Sequence, residues 1–243
     1  MKHQVIGSLT ASLFLAAASF CAPKSARRAE ARSEQQITVR IHDYAHANPT
    51  ALLHAERVAG DILEQAGVAV VWLECPMDSS NSGAAACSST MSPVDLVMNL
   101  LPHSMSDRLH KPGGVLGFAL EASGKDFGFN ASIFYDVVKD CVAERYQDFD
   151  ELLGAAIAHE LGHLLLGTNS HSSTGLMSAF WSGKQLRIAD QHGLVFSDAE
   201  AKRIQAALTA RMLAATVSPE ATESSSVAPT EQPTSAGARR DGK

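Results

Sequence analysis

The chain has 243 residues, 45% of them hydrophobic and 19% charged, and a formal net charge of -6. This modest acidic balance, with Lys and Arg concentrated on no predicted face and Arg27-Arg28 and Arg239-Arg240 near the ends, excludes nucleic acid as a partner. With both ends set aside, about 180 residues remain, enough for one domain with its own core.

In chain order, Lys2 and His3 precede an apolar run from Val5 to Phe20 that is rich in Ala and Leu. Small residues around Ala16-Ala17-Ala18 and Ala22 offer a cleavage point, so residues 1–22 read as a secretory signal peptide. Cys21 raises a lipoprotein anchor as an alternative, but Ala18 and Phe20 are a poor lipobox. The mature chain is expected to be secreted or periplasmic. No other stretch is long and apolar enough to span a bilayer, so no transmembrane segment is expected. Residues 23–35 are polar and read as a flexible segment.

Gln36 to His42 alternates as a strand does. Asn48 can cap a helix begun by Pro49, with an apolar stripe through Leu52, Ala55, Ala59, Ile62, Leu63 and Ala66 and a stop at Gly67. Val68 to Leu73 is an apolar strand, and this strand-helix-strand order suits a right-handed crossover and a parallel pair. Cys75 and Cys87 bracket a Ser/Gly/Asn-rich loop that a disulfide would staple; Cys141 is left over, so pairings with it stay open. Val94 to Leu101, Val115 to Leu120 and Ala131 to Val138 read as further strands, with a turn at Gly124 to Asn130. Asp148 and Glu151 can cap a helix from Phe149 to Leu166. Ser197-Asp198-Ala199-Glu200 is a capping box for a last helix from Asp198 to Leu213, and the Ser/Thr/Pro/Ala/Glu-rich residues 217–243 read as a disordered tail.

The helix from Phe149 to Leu166 carries His159-Glu160-Leu161-Gly162-His163, an H-E-x-x-H motif. Two histidines four apart lie on one helix face, within reach of one metal ion, and Glu160 is placed to take a proton from a water activated there. Both flanks, Ala155 to Ala158 and Leu164 to Leu166, are apolar, so the helix should be buried and its histidines in need of partners. Gly167 is a natural helix stop, after which the chain can turn back and bring His171 to the metal. Met177 follows a short polar turn.

From His159 to Met177 the chain resembles the metzincin metalloproteases, and most the matrixin branch, which carry H-E-x-x-H-x-x-G-x-x-H and then a methionine turn. His171-Ser172 and Leu176-Met177 match matrixin features. The resemblance implies a zinc endopeptidase acting on a peptide or protein substrate, with His159, His163 and His171 as zinc ligands, Glu160 as the base and Met177 flooring the site. It also implies an α+β fold: a twisted mixed sheet with packed helices, an active-site helix carrying the motif, and a small irregular carboxy-terminal lobe ending in a helix. Such a catalytic domain would span residues 36–216, as a monomer. The substrate would lie extended along an edge strand, for which Ala131 to Tyr135 is the candidate.

The register departs from the family pattern, reading H-E-x-x-H-x-x-x-G-x-x-x-H, so that the strict third position falls on Asn169, a poor zinc ligand. Asp190 or Glu200 are alternative third ligands, the latter as in gluzincin-like peptidases. A non-catalytic zinc-binding module that acts by binding a partner is the alternative of a different class. Phe180 and Trp181 read as core aromatics or as walls of a specificity pocket. His42, His46, His54, His103, His110 and His192 lack ligand spacing, and Asp136 reads as a strand-end cap or turn residue.

Overall fold

The computed structural model describes residues 35–76, 84–109, 114–120, 127–145, 148–167, 170–189 and 193–217. The expected signal peptide, Cys21, residues 23–34 and the tail from 218 lie outside the described residues, as do His110, Thr168, Asn169, Asp190 and His192.

The fold is mixed α/β. Five strands form one sheet in the order β2-β1-β3-β5-β4, where β1 is Gln35–Asp43, β2 Val68–Cys75, β3 Asp95–Leu101, β4 Gly117–Leu120 and β5 Asn130–Phe134. The first four strands of that order run parallel, and β4 closes one edge antiparallel to β5. Seven helices accompany them among the described residues: α1 (Pro49–Gln65), α2 (Ala84–Cys87), α3 (His103–Arg108), α4 (Tyr135–Arg145), α5 (Phe149–Leu166), α6 (Gly183–Ala189) and α7 (Asp198–Val217). No helix among the described residues is long and apolar enough to cross a membrane.

Local chemistry sets the boundaries of α1. The Asn48 side chain accepts hydrogen bonds from the backbone N–H groups of Thr50 and Ala51, at 3.0 and 3.1 Å, satisfying donors that the first turn leaves over. At the other end Gly67 adopts φ 82 and donates to the Glu64 carbonyl at 2.8 Å. The alternation of β1 sends Ile37, Val39 and Ile41 into the core with Leu52, Ala55, Ala59 and Leu63 of α1 and Leu153, Ile157 and Leu161 of α5. Arg40, between two core residues, points to the opposite face. There its guanidinium meets Asp95 at 2.9 Å and donates to the carbonyls of Cys87 and Ser89, each at 2.8 Å. A disulfide joins Cys75 to Cys87, and Cys141 is in none. The staple and the buried ion pair together seat α2 and the residues after it on the sheet.

Two expectations are corrected. Residues 131–138 are not one strand: β5 ends at Phe134, and Tyr135 opens α4. Val137 and Val138 carry strand preference, but tertiary contacts decide. The Tyr135 hydroxyl accepts from the Asn48 N–H at 3.1 Å, its ring packs edge-on against Phe149, and Val138 is buried in the core. Asp136, in the first turn of α4, accepts from the His103 N–H at 3.0 Å. The second correction concerns the edge. Ala131 to Ile133 pair on both sides, with β3 and with β4, so β5 is interior, and the edge strand on that side is β4 among the described residues.

Candidate metal centre

Helix α5 runs from Phe149 to Leu166, as its sequence predicts. The Asp148 side chain accepts from the N–H groups of Asp150 and Glu151 at 3.0 and 3.4 Å, and both residues add negative charge at the positive end of the helix. The helix is buried nearly all round. It stops at Gly167, where φ 78 and ψ -167 lie in a region open essentially to glycine alone. The Gly167 N–H bonds the His163 carbonyl at 3.0 Å, and two arginines of α7 take further carbonyls of the last turn: Arg203 bonds Leu166 at 3.1 Å, and buried Arg211 bonds Leu164.

His159 and His163 project from one face of α5, one turn apart. Their Nε2 atoms are 3.1 Å apart, and the Nε2 of His171, from the loop beyond Gly167, also lies 3.1 Å from that of His163. All three candidate ligand atoms lie within 4.8 Å of one another. A tetrahedral zinc site with Zn–N bonds of about 2.0–2.1 Å holds its nitrogens about 3.3 Å apart, close to the two 3.1 Å separations, and three imidazoles are a donor set that suits zinc. Among the described residues no other group of three His, Cys, Asp or Glu side chains converges in this way.

Outer partners orient the rings. The Nδ1 of His159 lies 2.7 Å from the Leu176 carbonyl oxygen, which only accepts, so Nδ1 carries the proton and Nε2 presents its lone pair. The Trp181 indole N–H donates to the same carbonyl at 3.1 Å, and its ring meets His159 edge-on. The Nδ1 of His163 is 2.7 Å from the hydroxyl of Ser170. Burial, then the neighbouring His159 and His171, lower the His163 pKa to about 4; burial likewise lowers that of His159. Both shifts favour the neutral ring, the form that binds a metal.

Met177 is wholly buried under the metal helix, against Gly162: a Cβ on that glycine would come within 2.6 Å of the Met177 sulfur. Hydrogen bonding from the Ser172 N–H to the Met177 carbonyl, at 2.8 Å, closes the turn that brings Met177 back below the histidines. Glu160 is buried one residue beyond His159 and faces β4, where a Cβ on Gly117 would lie 2.9 Å from its Cγ.

Of the predicted set, His159, His163 and His171 converge on one point, Met177 packs against Gly162 of α5, Glu160 follows the first histidine and faces β4, and Gly167 ends the helix. Glu200 does not join them. Its carboxylate accepts from the Ser197 N–H at 2.7 Å while its own N–H reaches the Ser197 hydroxyl at 3.3 Å, the capping box expected at the start of α7. Of the aromatic pair, Phe180 is exposed and Trp181 is half-buried against His159. The other described histidines stay apart from the cluster; His42 stacks on Tyr44, and His54 lies 3.4 Å from Asp150. Sequence reasoning missed Ser170, the indole bond of Trp181 and the approach of Gly117 to Glu160. Only the last had a signal, a glycine inside a predicted strand, which marks a close backbone approach.

No family model matches the chain, and no curated protein matches it.

Proposed function

We propose that the protein is an exported zinc-dependent endopeptidase of metzincin type. The observation that carries this reading is the convergence of three imidazole Nε2 atoms beside a buried glutamate, with β4 as the outermost strand of the sheet among the described residues. A purely structural metal site has no use for that glutamate or for the edge. The element order supports the same reading: a mixed sheet with one antiparallel edge strand, then the motif helix, then a small lobe with a methionine turn and a last helix.

His159, His163 and His171 would hold the zinc, leaving a fourth position open. Bound there, zinc supplies Lewis acidity at neutral pH. Glu160, next to the first ligand but outside the ligand set, takes a proton from the attacking water and returns it to the departing amine. The substrate backbone adds as a strand to the outer edge of β4, in place of the interior strand β5, so that its scissile bond passes Glu160 where Gly117 makes room. The engagement of Glu200 in the helix cap favours His171 over that carboxylate as the third ligand.

Zinc content per chain and digestion of a peptide library test this together. Wild type should bind one zinc, Glu200→Ala should keep it, and His171→Ala should lose it. Glu160→Ala should keep the zinc and lose peptidase activity by on the order of 10²–10⁴-fold. Undiminished activity in Glu160→Ala, or zinc lost with Glu200→Ala but retained with His171→Ala, overturns the assignment.

A further inference from the structure

The third ligand stands eight residues after the second, and the loop between them must deliver its imidazole with little freedom. The residue just before it provides a physical means. Ser170 and His171 meet the same imidazole from its two nitrogens: the Ser170 hydroxyl at 2.7 Å from Nδ1 of His163, and His171 Nε2 at 3.1 Å from Nε2. Ser170 is 3% exposed with its hydroxyl on the ring of His163, while His171 beside it is exposed. Gly167 leaves the helix through a glycine-only conformation.

Resting on the zinc reading above, we propose that Ser170 is a positioning residue of the metal centre. By accepting the Nδ1 proton of His163 it fixes that ring with Nε2 toward the metal. By anchoring the loop one residue before His171 it sets where the third imidazole lands. A single hydroxyl thereby couples the second ligand to the third. The lengthened spacing becomes workable because the loop is tied back to the helix before it reaches the metal. Partners in the outer shell of a metal site typically govern affinity by 10–100-fold.

The test uses the secreted chain with its zinc. Affinity is read by competition with a chromophoric chelator, and geometry by the visible spectrum of the cobalt(II)-substituted protein. Ser170→Ala should bind zinc about 10- to 100-fold more weakly and change the cobalt(II) bands. Ser170→Thr, which keeps the hydroxyl, should recover most of the affinity; this rescue separates a lost hydrogen bond from lost packing. Should Ser170→Ala fail to fold, long-range ¹H–¹⁵N correlation spectra of the zinc-loaded wild type decide: the proposal requires the His163 proton on Nδ1. Zinc affinity of Ser170→Ala within twofold of wild type, or a His163 proton on Nε2, overturns it. Wild type that takes up no zinc at all defeats the zinc reading itself, which distinguishes the two failures.

Discussion

Replacing Gly117 by alanine tests how closely the edge strand approaches the proposed base. A Cβ at this position would lie 2.6 Å from the Ser132 carbonyl oxygen, 2.8 Å from Ile133 Cδ1 and 2.9 Å from Glu160 Cγ. The carbonyl belongs to β5, the strand that pairs with β4, so it cannot retreat without disturbing the ladder. Overpacking of this kind costs about 1–3 kcal/mol, offset by the ~0.5–1 kcal/mol that alanine gains over glycine inside a strand. The net loss expected is about 1–2 kcal/mol, or ~2–8 °C in Tm for a domain of this size. What yields besides β4 is Glu160, and a misplacement of the base by about 1 Å lowers turnover on the order of 10²-fold. Zinc content should stay at the wild-type level, because the three histidine rings do not face Gly117. Gly114→Ala is the control: its φ of 87 makes alanine strained, yet nothing lies within 4 Å of the added carbon. It should lose stability on the order of 1 kcal/mol and keep its activity. Thermal melts, zinc analysis and kcat/KM on a cleaved peptide are measured on all three proteins. Full activity in Gly117→Ala, or an equal activity loss in Gly114→Ala, refutes the placement of Glu160 against β4.

Two further outcomes concern the scaffold. Glu56 of α1 is buried, its Oε1 has no hydrogen-bond partner among the described residues, and burial followed by the nearby charge of Glu74 raises its pKa from 4.5 to about 7. Between those values the unfolded chain ionises while the folded one stays protonated, so stability falls as pH rises through that window and stays lower above it. Glu56→Gln should flatten this slope and stabilise the protein at pH 8 by at most about 3 kcal/mol, read from urea melts at pH 4 and pH 8; an unchanged slope contradicts the burial argument. Removing the Cys75–Cys87 bridge, which spans a sequence separation of 12, should cost about 3 kcal/mol by chain entropy and leave zinc binding intact. Melts of the double serine variant check this, and a loss of zinc along with the bridge would mean the sheet and the metal centre are not mechanically separate.

Most of the sheet and the metal helix were legible because their signals are local. Asn48-Pro49 and Asp148 mark helix starts by side chains that bond the next two or three N–H groups, and Gly67 and Gly167 mark stops by backbone conformations other residues resist. Alternation in β1 is equally local. What failed was non-local. Val137 and Val138 look like strand, and only the bond of Tyr135 to Asn48, 87 positions away, together with packing on Phe149, turns the chain into α4 there. Strand order is non-local too. Nothing within residues 131–134 says that β4 comes to lie outside them, so a strand that reads as an edge in sequence lies inside the sheet.

The site divides along the same line, and the division explains why the lengthened spacing was hard to judge from sequence. His159, Glu160 and His163 are fixed by helix geometry, so three letters and a period place them. His171 is fixed by contacts instead. On the proposal above, its position follows from a glycine that lets the chain leave the helix, and from a serine whose hydroxyl returns to the helix 7 residues back. A serine in a run of Ser, His and Thr carries no pattern that marks such a bond. On that proposal the contact of Ser170 with the outer nitrogen of His163 matters more than the number of residues between His163 and His171, and a shortened loop without that contact should be the worse ligand carrier.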